Sequence, residues 1–287
     1  MQSLYDISAP AKLNLFLHIT GRRADGYHTL QSAFMLIDWC DTLHFEVRTD
    51  GQISREDLTW TLPQDDLITR AAKALQLHSQ CPLGVHIGIE KSIPAQAGMG
   101  GGSSDAASTL LALNRLWNLN LPLQTLTQLG LVLGADVPFF LGGHNAWVEG
   151  IGEKITPLNL PAARFVVAKP DAGLETRLIF SDSGLKRDSK TAIISGFAAY
   201  ENIFKYGRND LQAVAQKLCP GVTQALVWLE SQGLSGRMTG SGSAVFAHLL
   251  HDIDVQSAPR ALQVRLCSNL DVHPLVGWAT SDELVTN

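Results

Sequence analysis

Four glycines occupy five consecutive positions directly before a stretch that has the composition of a helix; they are Gly98, Gly100, Gly101 and Gly102. Glycine adopts positive φ and has no Cβ, but in a regular element each one costs about 0.5–1 kcal/mol relative to alanine. A turn needs one or two, so four indicate a backbone that a ligand approaches closely. Unpaired amides at a helix N-terminus bind phosphate oxygens. We therefore predict a phosphate-binding loop before a helix over 104–117, capped by Ser103 or Ser104.

Two common phosphate-binding motifs do not fit this loop. A Walker A loop ends in Gly-Lys-Ser/Thr, and no lysine follows Gly102. The dinucleotide fingerprint G-x-G-x-x-G fails at its third glycine, where Ser103 stands, and no isolated acid follows at the end of a strand about 20 residues later. A dinucleotide-dependent oxidoreductase is therefore a weak alternative.

The remaining pattern predicts an α+β chain of two halves, because strands precede helices without strict alternation. Glycines and prolines over 150–162 favour a boundary there, which gives residues 1–155 and 156–287. The first half is expected to hold strands at 11–19, 43–48 and 85–89 and helices at 66–78, 104–117 and 125–134. The second half is expected to hold a strand at 164–170, helices at 209–218, 221–232 and 257–269, a glycine turn at 239–243 before an apolar strand, and a last strand at 275–280.

Charge and composition exclude several functions. The net charge of −5 gives no basic field for nucleic acid or an anionic membrane, and no apolar run is long enough to span a bilayer. The N-terminal residues lack the pattern of a signal peptide, so the cytoplasm is the expected location. Four scattered cysteines and the histidines show no metal-ligand spacing, so no metal site is expected. The chain is expected to be a monomer or a weak homodimer.

The segment IPAQAGMGGGSSDAA, residues 93–107, resembles the P-x-x-x-G-L-G-S/G-S-S-A/N-A signature of the GHMP kinases, with Met99 in place of leucine and Asp105 in place of a common asparagine. The Asp105 carboxylate is expected to point away from phosphates. The resemblance implies a ribosomal protein S5 domain 2-like N-terminal half and a ferredoxin-like C-terminal half, with the active site in the cleft between them. It also implies binding of ATP, which brings Mg²⁺ with it, by Lys91, Pro94, Ala95, Gln96, Ala97, Gly98, Met99, Gly100, Gly101, Gly102, Ser103 and Ser104.

Five further motifs narrow the resemblance to a branch of this family that phosphorylates a cytidylyl sugar-alcohol for isoprenoid-precursor synthesis. They run in the same order over nearly the whole chain. A mevalonate or homoserine type of GHMP kinase is the alternative, although such acceptors have no base to stack. The motifs are K-x-N with D-G-Y-H (12–14 and 25–28), GADVPFFLGG (134–143), RNDL (208–211), MTGSGSAVF (238–246) and HPL (273–275).

The resemblance also implies two catalytic residues. Asp136 lies between Gly134 and an apolar run, a setting that would raise the pKa of a carboxylate and suit a general base. It is the implied base for the acceptor hydroxyl, and Lys12 is expected to pair with it. Asn14 shares a strand face with Lys12 and is expected to contact the acceptor. A further alternative is an inactive nucleotide-binding regulator, and the presence of both Lys12 and Asp136 argues against it.

The other implied substrate contacts surround a cytosine. Tyr27 is expected to stack on the base, His28 to bind its edge and Phe180 to supply a second ring, with Thr176 nearby. The turn with Gly240, Ser241 and Gly242 is expected to close over the acceptor and phosphates. Lys91 either meets a phosphate or caps a strand. Asp66 stands where asparagine is common in the family, so an adenine contact there stays open.

Overall fold

A hairpin of two very long strands forms the centre of the molecule. In the computed structural model, which describes residues 2–280, β1 (Ser3–Arg22) pairs antiparallel with β2 (His28–Arg48). The turn between them contains Gly26 at φ +91°, a backbone conformation that favours glycine. Residues 9–19 of β1 are buried almost without interruption, because helices cover one part of the strand and the second half of the chain covers another.

The first sheet extends this hairpin on both sides. Strand β4 (Gly84–Glu90) pairs antiparallel with the C-terminal part of β2 and parallel with β3 (Ile53–Asp57). At the other end of β2, β5 (Ala146–Gly150) pairs with it and is followed by β6 (Lys154–Pro157). The order is β3-β4-β2-β5-β6, with β1 also on β2.

Four helices pack on this sheet: α1 (Leu67–Ser79), α2 (Gly101–Leu116), α3 (Leu123–Leu133) and α4 (Val137–Gly142). Asp66 caps α1 by accepting hydrogen bonds from the amides of Ile68 and Thr69. Helix α2 is buried on nearly every side, because α1, α3 and α4 surround it on the sheet.

The second half has its own antiparallel sheet in the order β10-β7-β9-β8. Its strands are β7 (Arg164–Pro170), β8 (Arg237–Met238), β9 (Val245–His248) and β10 (Leu262–Ser268). Helices α7 (Gln212–Leu218) and α8 (Pro220–Ser231) pack with it, and the short helices α5 (Thr176–Ser181) and α6 (Ile194–Ala198) lie in the long connection after β7. We propose that the chain divides near residue 155, between β6 and β7.

The chain crosses this division at both ends. Leu17 and Ile19 of β1 belong to the core of the second half. After β10, residues 270–280 return to the first half, where Leu275 is buried in its core and Trp278 packs against it. Asn145 fixes this return, because its side-chain amide donates to the carbonyl oxygen of Leu270 at 2.8 Å.

Most predicted elements are present, but two near the C-terminus are wrong. The helix predicted over 257–269 is the strand β10, in which Leu262 and Cys267 are buried at the edge of the sheet. The strand predicted over 275–280 is a series of turns with one bridge, from Pro122 to Thr280. Within residues 2–280, no helix is both long and apolar enough to cross a membrane.

Candidate active site

An open cavity of about 750 Å³ lies between the two halves, bordered by the glycine loop on one side and the second glycine turn on the other. It brings together nearly all the residues singled out from the sequence, although Ser104, Tyr27 and His28 are absent from its wall. Those in the wall are Lys12, Asn14, Lys91, Pro94, Ala95, Gln96, Ala97, Gly98, Met99, Gly100, Gly101, Gly102, Ser103, Asp136, Thr176, Phe180, Gly240, Ser241 and Gly242.

The glycine loop leads into α2 earlier than predicted. Helix α2 begins at Gly101, three residues before the predicted start, and Gly100 is its N-cap at φ +72° without a side-chain hydrogen bond. The prediction that Ser103 or Ser104 caps the helix is therefore wrong. Ser103 instead faces the cavity from the first turn, whereas Ser104 is fully buried and its hydroxyl has no hydrogen-bond partner. The first amides of α2 are thus open to the cavity.

The glycine loop and the second glycine turn are in direct backbone contact. The amides of Ser243 and Ala244 donate to the carbonyl oxygens of Gln96 and Ala97, at 3.0 and 3.2 Å. A Cβ on Gly98 would lie 2.2 Å from the carbonyl oxygen of Thr239, so only glycine fits there. This contact joins the two halves at the floor of the cavity.

Asn209 explains the RNDL motif. Its side-chain amide donates to the carbonyl oxygens of Met238 and Gly240, each at 2.8 Å, and so holds the second glycine turn. The neighbouring Asp210 accepts from the amide of Ile19 at 2.8 Å and ties the same segment to β1. The motif therefore supports the turn, and its last residue, Leu211, lines the cavity.

Lys12 and Asp136 face each other at the glycine loop. The Lys12 ammonium lies 3.7 Å from Oδ2 of Asp136, donates to the carbonyl oxygen of Gly98 at 3.0 Å and also binds Oδ1 of Asn14. Lys12 reaches this position because β1 is buried here, with the side chain only 4% exposed. Burial lowers the pKa of Lys12, and the Asp136 carboxylate opposes that shift.

Asp136 is less enclosed than its apolar neighbours suggest. It is the N-cap residue of α4, directly before Val137, and its side chain is 32% exposed because it faces the open cavity. Pro138, Phe139 and Phe140 are themselves buried. The expected apolar setting of the carboxylate is therefore wrong, whereas the expected pairing with Lys12 is present.

Lys91 is bound from below the loop by two carboxylates. Its ammonium donates to Oδ2 of Asp105 at 2.7 Å and to Oδ2 of Asp41. Asp105 is therefore part of a buried ion cluster, and it still contributes to the cavity wall. That its carboxylate points away from phosphates stays a prediction. Asp41 carried no sequence signal, since it lies 50 residues from Lys91 and only the fold brings them together.

Asp66 is fully engaged at the far end of the cavity wall. Besides capping α1, its carboxylate accepts from the Thr69 hydroxyl at 2.7 Å and forms an ion pair with Arg55. Leu62 and Leu67 line the wall beside it. This end of the cavity is therefore apolar, and the Asp66 carboxylate is already paired with protein donors.

The residues expected to hold a cytosine lie at the rim of the cavity. Phe180 packs on His28 with ring centroids 5.1 Å apart, and Tyr27 is 63% exposed. Arg187, which sequence reasoning missed, donates from Nε to Nε2 of His28 at 2.9 Å and from Nη2 to the carbonyl oxygen of Phe180 at 3.1 Å. Burial, followed by the charges of Arg187 and Arg22, lowers the pKa of His28.

Thr176 closes the same rim from α5. Its hydroxyl shares a 2.7 Å hydrogen bond with the hydroxyl of Ser241 in the second glycine turn.

Within residues 2–280, no group of three or more histidine, cysteine, aspartate or glutamate side chains is arranged to hold a metal ion.

Two family models match this architecture. The model of the GHMP kinases N terminal domain matches residues 66–144, and the GHMP kinases C terminal model matches residues 194–266. The first match spans the glycine loop and Asp136, and the second spans the second glycine turn. The chain belongs to the GHMP kinase family and has its two-part fold.

Individual proteins that resemble this chain include members of one particular branch of the family. The chain is 76% identical to 4-diphosphocytidyl-2-C-methyl-D-erythritol kinase of Albidiferax ferrireducens, over 99% of this chain and 98% of that protein. It is 64% identical to the kinase of the same name from Variovorax paradoxus, over 98% of this chain and 100% of that protein. A crystal structure of 4-(cytidine 5'-diphospho)-2C-methyl-D-erythritol kinase superposes with a TM-score of 0.78 at 32% identity, covering 93% of this chain and 98% of that chain.

Proposed function

We propose that this chain transfers the γ-phosphoryl group of ATP to the 2-hydroxyl of 4-diphosphocytidyl-2-C-methyl-D-erythritol, a step of the non-mevalonate pathway to isoprenoid precursors. The observation that carries the proposal is the Lys12–Asp136 pair facing an open glycine loop across one cavity, in a chain 76% identical to a kinase of that name. The homoserine kinase of Cytophaga hutchinsonii, at 14% identity, shares the fold alone.

The glycine loop binds the triphosphate in this proposal. The open amides at the start of α2 and the positive end of its dipole offer sites for phosphate oxygens, and Ser103 adds a hydroxyl beside them. The apolar wall at Leu62 and Leu67 suits the nucleotide's base. Mg²⁺ arrives with ATP as part of the substrate, where it screens the phosphate charges.

Asp136 and Lys12 act on the acceptor. The half-exposed Asp136 carboxylate accepts the proton of the 2-hydroxyl, and the Lys12 ammonium orients that carboxylate and offsets charge on the moving phosphoryl group. Little else is required of the protein, because phosphoryl transfer depends mainly on positioning and on charge stabilisation. Asn14, held by the Lys12 ammonium, faces the same reacting position.

The cytidylyl group lies at the rim in this proposal, between Tyr27 and Phe180, where His28 binds the base edge. The second glycine turn, with Gly240, Ser241 and Gly242, covers the diphosphate, and Thr176 fixes the turn. We also propose that the protein is located in the cytoplasm and that it is a monomer or a weak homodimer.

One incubation tests the proposed reaction. The full chain, MgATP and 4-diphosphocytidyl-2-C-methyl-D-erythritol are expected to give ADP and a product heavier by one phosphoryl group, in equal amounts, by mass spectrometry. Mevalonate and homoserine, offered in parallel, are expected to give no product. Phosphorylation of either of these at a comparable rate, or no transfer to the cytidylyl substrate, would overturn the proposal.

A further inference from the structure

Three charged side chains form a buried cluster directly beneath the glycine loop. Asp41 on β2 and Asp105 near the start of α2 both bind the ammonium of Lys91, which follows β4. None of the three is more than 8% exposed. We call Asp41, Lys91 and Asp105 the loop triad. A Cβ on Gly101 would lie 3.5 Å from Oδ2 of Asp41, so the triad touches the underside of the loop.

The two carboxylates of the loop triad differ in their hydrogen bonding. Asp41 is saturated, because Oδ1 accepts the amides of Ser92 and Ile93 at 2.6 and 2.8 Å while Oδ2 accepts from Lys91. Asp105 accepts from Lys91 through Oδ2, but its buried Oδ1 has no partner. Asp105 is therefore the member with an oxygen free to carry a proton.

Charge balance points to the same residue. Two carboxylates and one ammonium leave one excess negative charge in a buried position, below a loop that is expected to receive an anionic triphosphate. Burial and the charge of Asp41 raise the pKa of Asp105 to about 7, although Lys91 acts against this shift. Lys91 and Asp105 both border the cavity, so a bound triphosphate adds negative charge close to them.

The helices α1, α3 and α4 and the strand β1, which pack on α2, add no further charged group next to the Asp105 carboxyl. Helices α3 and α4 carry no titratable side chain. Helix α1 directs Arg70 and Lys73 to solvent, and β1 brings only Lys12 to the loop, where it pairs with Asp136. The groups that act on the Asp105 carboxyl are thus Lys91 and Asp41.

We propose that Asp105 takes up a proton from solvent when the triphosphate binds over the glycine loop, while Asp41 and Lys91 hold the loop in position. The proton removes the excess negative charge of the loop triad at the moment when the ligand brings its own. This inference rests on the proposed use of ATP and adds a proton to the binding step. Asp105 and Lys91 act through the loop and are positioning residues.

Proton uptake on binding makes the affinity for MgATP depend on pH in a defined direction. Well below pH 7 the Asp105 carboxyl already carries its proton in the free protein, and binding takes up almost none there. Well above pH 7 the free protein holds the carboxylate, so each binding event draws a proton and rising pH opposes it. The affinity for MgATP is expected to fall with a slope approaching about tenfold per pH unit, until the pKa of the bound state is passed.

Calorimetry measures the proton directly. The full chain is titrated with MgATP at pH 7.5 in phosphate and in Tris, whose ionisation enthalpies differ. For the wild type, the difference in binding heat is expected to show net uptake of a large fraction of one proton. Asp105→Asn keeps an oxygen for Lys91 and is expected to lose this uptake and the matching part of the pH slope. Asp65→Asn, an exposed change on the loop before α1, serves as the control and keeps both.

Equal proton uptake in the wild type and Asp105→Asn would overturn the inference. If Asp105→Asn does not fold, as judged by its thermal transition, Lys91→Met replaces it as the test. Without the ammonium, Asp105 is protonated in the free protein too, so the uptake is again expected to vanish, and its persistence would overturn the inference. Absence of any MgATP binding by the wild type would instead refute the proposed use of ATP, and the two failures are distinguishable.

Discussion

The Lys12 ammonium lies 3.7 Å from the Asp136 carboxylate, and the two side chains differ sharply in exposure, at 4% and 32%. The lysine is held from inside the protein, whereas the carboxylate is open to the cavity. This asymmetry is consistent with the proposed roles, in which the carboxylate accepts a proton from the acceptor and the lysine keeps its position. It also means that the two residues respond differently to substitution.

Asp136→Asn is expected to keep the fold and MgATP binding while lowering kcat by about 10²–10⁴-fold, the usual contribution of a general base. The amide keeps the shape of the side chain but cannot accept the proton. The rate of ADP release gives kcat, and the shift of the melting temperature by MgATP reports binding. Asp65→Asn is the exposed control. A kcat within threefold of the wild type would remove Asp136 from the role of base.

Lys12→Met is expected to abolish most turnover while stabilising the fold at pH 7 by about 1 kcal/mol, because burying an ammonium costs more than its partners return. Burial lowers the pKa of Lys12, so the cost is present while the ammonium is charged, at pH below that lowered value. The cost vanishes as pH rises through the lowered value towards the ordinary 10.5. The gain in melting temperature is therefore expected to shrink between pH 7 and pH 10.

The matched control for this change is Lys73→Met on the exposed face of α1, where no such gain is expected. A melting temperature for Lys12→Met below that of the wild type at pH 7 would show that the Lys12 contacts stabilise the fold more than its burial costs.

Gly98→Ala is expected to disrupt the contact between the glycine loop and the second glycine turn. The new Cβ would lie 2.2 Å from the carbonyl oxygen of Thr239, at φ +72°, so the turn must move and the backbone is strained by about 1–3 kcal/mol. Both MgATP affinity and kcat are expected to fall at least tenfold. Gly142→Ala meets nothing within 4 Å and is the control. Equal behaviour of the two variants would contradict the close contact.

Arg187→Met is expected to raise KM for the cytidylyl acceptor about tenfold, a value typical of one lost charge-assisted hydrogen bond, and to leave KM for MgATP unchanged. Arginine only donates, so its bond to Nε2 fixes the His28 proton on Nδ1 and makes that nitrogen a donor for the base. Without Arg187, the ring is free to adopt the other tautomer and Phe180 loses a support. Arg260→Met, on the exposed surface, is the control. An equal rise in both KM values would point to general unfolding.

Local signals in the sequence were sufficient for much of the fold. The glycine cluster marked the loop and the caps and periodicity marked α1, α3 and α8, because these features depend on neighbouring residues. The segment 257–269 was misassigned because its helical composition outweighed the alternation of Leu262, Val264 and Leu266, which is the signature of β10. The N-terminal part of β2 was missed for a related reason, since residues 31–37 are buried on both faces and show no alternation.

The prediction of the site residues was limited in the same way. Residues within or near a motif were found, but Asp41 and Arg187 were not, because each acts through a partner far along the chain: Asp41 lies 50 residues from Lys91, and Arg187 lies 159 from His28. The helix cap was misjudged because serine is the commoner cap, whereas the left-handed Gly100 replaces it here. Pairings of this kind follow from tertiary structure, and a single sequence contains no local trace of them.

The return of residues 270–280 to the first half has a consequence for biosynthesis. During translation, the first half emerges first, yet the slot for Leu275 and Trp278 stays unfilled until residues 270–280 have also left the ribosome. A nascent chain of this protein therefore exposes an apolar groove until residues 270–280 are made, and the first half completes its packing only after the second has been made.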